Sequence, residues 1–145
     1  VITQQAKFHA KKLKLSNVDF ELPDTCLHDC IIDKAGKRFF VNVKIHNISG
    51  KRNKNDISAV EKLYMQYVAN PNYRLIYATF GIRFENLTIS FDKKSVHTFS
   101  PQFLPIYVNP RNDKIQAFYQ HEAIYRTRTD FLAALRDNSK SIILE

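Results

Sequence analysis

Asp29, Asn42 and Lys44 have the types and the spacing for chemistry on a phosphodiester. Breaking that bond requires charge neutralised on the phosphate, a water activated and a leaving oxygen stabilised. A carboxylate-held Mg²⁺ contributes to all three, and a nearby lysine adds charge or helps activate the water. The local sequence brings the three together. Asp29-Cys30-Ile31-Ile32-Asp33 runs into a four-residue turn, Lys34-Ala35-Gly36-Lys37, and then into Arg38-Phe39-Phe40-Val41-Asn42-Val43-Lys44. Folding at that turn sets Asp33 against Arg38 and Asp29 against Asn42, and the strand period of two returns Lys44 to the Asn42 face. Acid, amide and lysine then lie within about 5–8 Å of one another. Phe39, Val41, Val43 and Ile45 take the other face, with Cys30 and Ile32 opposite them, and that apolar face is expected to pack.

The spacing Asp-x12-Asn-x-Lys resembles the PD-(D/E)xK nuclease superfamily, with Asp29 as the first acid, Asn42 in the place of the second and Lys44 as the lysine. Val43-Lys44-Ile45-His46-Asn47-Ile48-Ser49 is similar to the strand and recognition-loop entrance of the HincII-type restriction endonucleases. As there, a polar loop and a helix follow. Leu104-Pro105-Ile106-Tyr107-Val108-Asn109, a polar loop and Lys114–Phe118 resemble the next strand–loop–strand of that family. The resemblance runs from Asp24 to Leu135, specific around the hairpin and looser elsewhere. It implies a Mg²⁺-dependent homodimer that cuts double-stranded DNA and reads bases in the major groove from loops. Carried over by position, Asp29 and Asn42 hold the metal, the Val43 carbonyl joins them, and Lys44 supports the attacking water.

The sequence departs from that family in two places. Asn42 stands where the family has Asp or Glu; an amide oxygen ligates Mg²⁺ without charge, which lowers metal affinity. Asn42 is read either as a natural amide variant or as the near-isosteric change that silences an Asp. The restriction enzymes also carry a helical region before the first acid, whereas 28 residues precede Asp29 here and the first residue is Val1. The expectation is a minimal form or one lacking an N-terminal helical part.

Further candidates surround the hairpin. Asp19, Glu21 and Asp24 lie upstream and one could supply a second carboxylate, although ordinary strand-edge acids fit as well. His46 shares the Lys44 face and is placed for phosphate, with Asn47 beside it at the loop entrance. Lys51, Arg52, Asn53 and Lys54 read as a DNA-contacting loop, since Arg and Asn suit guanine and adenine edges while Lys suits phosphate. Asn109, Arg111 and Asn112 form a second such group. A solvated polar loop is the plain alternative for both.

These residues need rigid elements to hold them. The spacing predicts strands at 18–21, 27–33, 38–46, 74–84, 87–91, 106–109 and 115–119. Helices are expected from an Asp56 N-cap to Asn70 and over 129–136. Residues 1–14 read as a basic helix or a loose arm. The order gives an α/β fold with a mixed central sheet flanked by helices, in a single nuclease-like domain over 1–145. A net charge of +8 favours a polyanionic partner. Its positive residues cluster at Lys7–Lys14, at Lys51–Lys54 and at Arg126, Arg128 and Arg136. Cys26 and Cys30, about 13 Å apart on an extended segment, cannot pair with each other; with His28 they lack a fourth zinc ligand. They read as reduced packing residues of a cytoplasmic protein, and no apolar run is long enough to span a membrane. Two rivals accompany the restriction-like endonuclease: a homing or junction-resolving nuclease on the same fold, and a DNA-binding pseudo-nuclease inactive because of Asn42. An RNA-binding domain fits less well, because the aromatics form no RNP-like pair of motifs.

Overall fold

A computed structural model describes residues 7–8, 11–14, 16–20, 27–49, 55–117, 123–140 and 142. Glu21, Asp24, Cys26 and the loop candidates Lys51, Arg52, Asn53 and Lys54 lie outside the described residues. The elements are β1 (Val18–Asp19), β2 (Cys30–Lys34), β3 (Lys37–Asn47), β4 (Asn55–Ala59), α1 (Val60–Ala69), β5 (Leu75–Glu85), β6 (Thr88–Phe99), a 3-10 turn (Pro101–Phe103), β7 (Tyr107–Asn109), β8 (Lys114–Ala117) and α2 (Arg128–Asn138). A five-stranded sheet has the order β1-β2-β3-β5-β6, and β4-β8-β7 form a small second sheet. In the large sheet β3 and β5 are parallel while every other neighbouring pair is antiparallel. The parallel pair follows from the intervening chain, because β4 and α1 supply the long crossover that parallel strands require. The architecture is the mixed-sheet α/β fold expected from the order of elements. No helix among the described residues is long and apolar enough to cross a membrane.

Both helices bury their apolar stripes on one face of the large sheet. Val60, Leu63 and Tyr67 recur at helical spacing along α1, and Phe131 and Leu135 along α2. They pack with Leu75 and Tyr77 of β5 and with Ile57 and Ile115 of the small sheet. Tyr67 sits edge-on to Phe131 and to Tyr73, at ring separations of 5.0 and 5.2 Å. Arg128 joins the helices directly. Its guanidinium donates to the Tyr67, Asn70 and Tyr73 carbonyls and lies over the Tyr67 ring. The last turn of α1 has no basic residue of its own, so Arg128 supplies the donors its orphan carbonyls need. Arg126 donates to the Leu104 carbonyl and Arg136 pairs with Asp137. Arg126 and Arg128 are thus engaged in holding the fold, whereas Arg136 makes only an exposed pair with its neighbour in sequence.

Three local expectations are corrected. Asp56 does not cap the helix; α1 starts at Val60 with Ala59 as its N-cap residue, and residues 55–59 form β4. The Asp56 carboxylate is drawn across the small sheet by Asn112, Gln116 and Asn109, whose amides hold it below the usual carboxylate range. β6 runs on past Phe91 to Phe99, since a bulge absorbs residues that break its alternation. The packing of the hairpin is only partly the expected one: Cys30 and Val41 are buried, but so is Asn42 on the other face, and that other face is the one the helices cover. Phe40 and Asn42 of β3 pair with Leu75 and Tyr77, whose face the helices cover. The face of Val41, Val43 and Ile45 is continued by Ala78, Phe80, Ile82, Phe84, Ile89, Phe91 and Val96. Ile45, Phe84, Ile89, Phe91 and Val96 are exposed there.

Candidate active site

From Cys30 to the turn the hairpin register is the one read from the sequence, but Asp29 is not paired with Asn42, because its N–H goes to the Val41 carbonyl. Cys30 pairs with Val41, Ile31 with Phe40, Ile32 with Phe39 and Asp33 with Arg38. The turn itself places Ala35 and Gly36 at φ of 50° and 68°, the left-handed pair that a tight hairpin demands. Arg38 closes the end of the ladder with a two-point bond to the Asp33 carboxylate, at 2.9 Å for each nitrogen. That pair is exposed and lies at the far end from the candidate site.

The regular ladder stops at Cys30, and Asp29 uses its side chain to extend it. The Asp29 N–H donates to the Val41 carbonyl at 2.8 Å, while its carboxylate Oδ2 accepts the Val43 N–H at 2.7 Å. A strand residue sends its N–H and C=O to the same edge, so the Val43 carbonyl emerges toward Asp29. The segment before Asp29 is fixed by aromatic packing. Leu27 reaches the core, and His28 sits edge-on to Phe40 at 4.8 Å with its Nδ1 3.3 Å from the Tyr73 hydroxyl. Burial lowers the His28 pKa, against the opposing pull of the Asp29 charge. The same burial, aided by Asp29, raises the Cys30 thiol to about 11 and leaves it an inert packing group.

Asn42 lies on the next row of the helix-covered face, only 8% exposed. Its Nδ2 donates to the Leu27 carbonyl. Its Oδ1 is buried and has no hydrogen-bond partner among the described residues. A buried amide oxygen without a donor is costly in a finished core, and it is the state expected of an atom kept for a ligand. Around it the floor is polar: the Tyr77 hydroxyl is hydrogen-bonded to buried Ser58, and Thr79 Oγ1 reaches the His97 carbonyl at 3.3 Å. Burial drives the Tyr77 phenol far above its ordinary pKa, so it stays a neutral hydroxyl.

Lys44 and His46 continue the same face, paired with Thr79 and Gly81 of β5. His97 of β6 pairs with Thr79 and so joins that face. Burial, and then the neighbouring His97, lower the His46 pKa. The structure therefore assembles Asp29, Asn42, Val43, Lys44 and His46 at one end of β3. His97, Thr79, Tyr77 and Ser58 were not singled out from the sequence. The β3–β5–β6 registers place Tyr77, Thr79 and His97 here, Ser58 of β4 is brought in by its bond to the Tyr77 hydroxyl, and no local spacing encodes either.

The remaining candidates are elsewhere. Asn47 is on the opposite face from His46, and its Oδ1 accepts the Ser49 N–H in the turn that ends β3. Asn109 and Asn112 spend their amides on Asp56 and on the backbone N–H groups of Arg111 and Lys114, which leaves Arg111 as the exposed basic side chain of that turn. Asp19 pairs with Ile31 and acts electrostatically on Arg38, toward the turn of the hairpin. Among the described residues no three His, Cys, Asp or Glu side chains cluster as a metal site. Among the described residues Asp29 is the carboxylate bound next to Asn42, at the Val43 N–H, while Asp92 lies further along the face, opposite Gly81.

No family model and no curated protein matches the sequence. The fold does have a solved counterpart. NlaIV restriction endonuclease superposes with a TM-score of 0.66 over 94% of this chain at 14% identity. The chain spans 62% of the length of that enzyme. The β2–β3 hairpin and its site therefore stand on a restriction-endonuclease-like fold.

Proposed function

We propose that this chain is a nuclease-like domain that binds double-stranded DNA and cuts it with Mg²⁺, as the restriction endonucleases of its fold do. The observation that carries the proposal is the buried, unpartnered Oδ1 of Asn42 beside the Asp29 carboxylate and the Lys44 face. Those atoms fit Mg²⁺ in kind: one carboxylate, one amide oxygen and the Val43 carbonyl are all hard oxygens, and Mg²⁺ commonly takes one or two carboxylates with water and substrate phosphate. They fall one negative charge short of a two-acid site. Mg²⁺, when bound, supplies Lewis-acid stabilisation of the phosphate. Asp29, Asn42 and the Val43 carbonyl would hold the metal, and the bond from the Val43 N–H fixes the Asp29 carboxylate in place for it. Lys44 carries positive charge toward the phosphate and holds the attacking water, and His46 contacts a neighbouring phosphate. Lys51, Arg52, Asn53 and Lys54, by their residue types, and the exposed Arg111 contact the duplex as well. The apolar side chains exposed on the Val43 face of the large sheet among the described residues, Ile45, Phe84, Ile89, Phe91 and Val96, are the natural place for a second copy in a homodimer, because patches of that kind are seldom left bare.

The Asn42 bond to Leu27 favours a second reading as well. Its NH2 group does something a carboxylate cannot, so a chain adapted to Asn42 could bind DNA without cutting it. Incubating plasmid DNA and Mg²⁺ with the chain and with Asn42→Asp separates the cases. Discrete fragments from the chain itself support a sequence-specific nuclease. Cutting by Asn42→Asp alone supports a binding module that has lost its second acid. If neither protein cuts and neither shifts the DNA in a gel, the proposal is wrong.

A further inference from the structure

β5 and β6 pair in two blocks, Tyr77–Phe80 with Val96–Phe99 and Gly81–Glu85 with Thr88–Asp92. Phe80 and Gly81 are consecutive, but their partners Val96 and Asp92 are separated by Lys93, Lys94 and Ser95. The strand therefore carries a three-residue bulge. Its position is set by register. Gly81 pairs with His46 on its other side, and the adjacent row runs Lys44, Thr79, His97. The bulge thus sits at the same end of the same face as Asn42 and Lys44.

The bulge is built into the sheet. The Asp92 carboxylate accepts the Lys94 N–H at 2.9 Å, the Ser95 hydroxyl at 3.2 Å and the Arg83 guanidinium at 3.3 Å. A Cβ on Gly81 would come within 2.4 Å of the Ser95 Cβ, so the bulge folds down onto the sheet only because residue 81 is glycine. The acid is spent on holding the shape. Lys93 and Lys94 are exposed, and His97 is partly exposed beside them. Lysines on an edge strand often serve only to block edge-to-edge pairing. That task needs charge but neither a fixed bulge nor a glycine cut-out nor alignment with Lys44.

We propose that the β6 bulge is a second phosphate-contacting element, in which Lys93, Lys94 and His97 grip the backbone of a nucleic acid seated at the Asp29–Asn42–Lys44 face. This rests on the DNA-binding part of the proposal above. Compact lysine ammoniums suit phosphate oxygens as point charges, and a neutral or protonated imidazole can donate to the same oxygens. The element adds affinity without reading bases.

The test is duplex binding over a salt series in EDTA, with a labelled oligonucleotide and no divalent metal. Lys93→Ala/Lys94→Ala should lower the slope of log affinity against log salt by about 1.8, which is roughly a 60-fold loss near 0.1 M salt. Lys34→Ala/Lys37→Ala removes the same charge at the far end of the β2–β3 hairpin and should leave the slope close to that of the unaltered chain. His97→Gln should weaken binding several-fold, and Lys93→Arg/Lys94→Arg should restore the slope. Equal effects from the two lysine pairs, or an unchanged slope for Lys93→Ala/Lys94→Ala in a variant that melts normally, would overturn the inference while duplex binding itself stands. A chain that binds no duplex DNA at all overturns both.

Discussion

At the residue scale, Asn42 decides most. Its amide nitrogen holds the Leu27 carbonyl and its oxygen is buried without a donor. Replacing it by Asp removes that bond and sets negative charge against a carbonyl and near Asp29. Asn42→Asp should therefore lose about 1–3 kcal/mol without metal. Mg²⁺ relieves both repulsions, so the variant should gain more in melting temperature from Mg²⁺ than the unaltered chain does. Melting curves of the two proteins with and without the metal check this; equal gains mean that position 42 is not a metal position. The histidines give a second expectation. His28 and His46 have folded pKa values below the ordinary 6.5, mainly through burial. The unfolded chain then binds more protons than the native one as acid is added, so stability falls as pH drops through about 6.5 and levels off below the depressed folded values. Denaturant midpoints between pH 8 and pH 5 should show that fall, and His46→Gln should reduce it. Asp29, Asn42 and Lys44 could be read as one group because a single turn fixes their register. Tyr77, Thr79 and His97 could not, since two further strand pairings bring them in.

At the element scale, the period-two pattern of β3 located the two faces of the hairpin but not which of them the helices would cover. That choice is made by β5, which presents Leu75 and Tyr77 on the Asn42 side, and by the stripes of α1 and α2 that meet them. The consequence is functional: Asn42 sits in a water-poor edge of the core, where an electrostatic interaction is stronger than it would be on a bare hairpin. Phe131, fully buried between Tyr67 and the sheet, should cost about 3–5 kcal/mol when cut to Ala. Gly81→Ala should cost about 1–3 kcal/mol, because the new methyl collides with Ser95 and the bulge must move. Urea melts give both values. If Gly81→Ala melts like the unaltered chain, the bulge is looser than its bonds indicate. Asp56 shows the complementary error, since an acid before a helical pattern reads as a cap until a distant turn claims it.

At the scale of the whole molecule, the mixed sheet, the order of elements and the excess of positive charge were legible because each follows from local pattern or composition. The likeness to NlaIV restriction endonuclease bears out the fold, while the chemistry rests on the face that β3, β5 and β6 build together. In the proposed function Asp29, position 42 and Lys44 act as one metal-dependent cutting site. It is tested most directly by single-turnover cleavage of duplex DNA in saturating Mg²⁺ by Asn42→Asp and by Asn42→Asp/Lys44→Ala. The expected result is cutting by the first that disappears in EDTA and falls at least about 100-fold in the second. Cutting that persists without Lys44, or no cutting by a folded Asn42→Asp protein that binds the DNA, would contradict it.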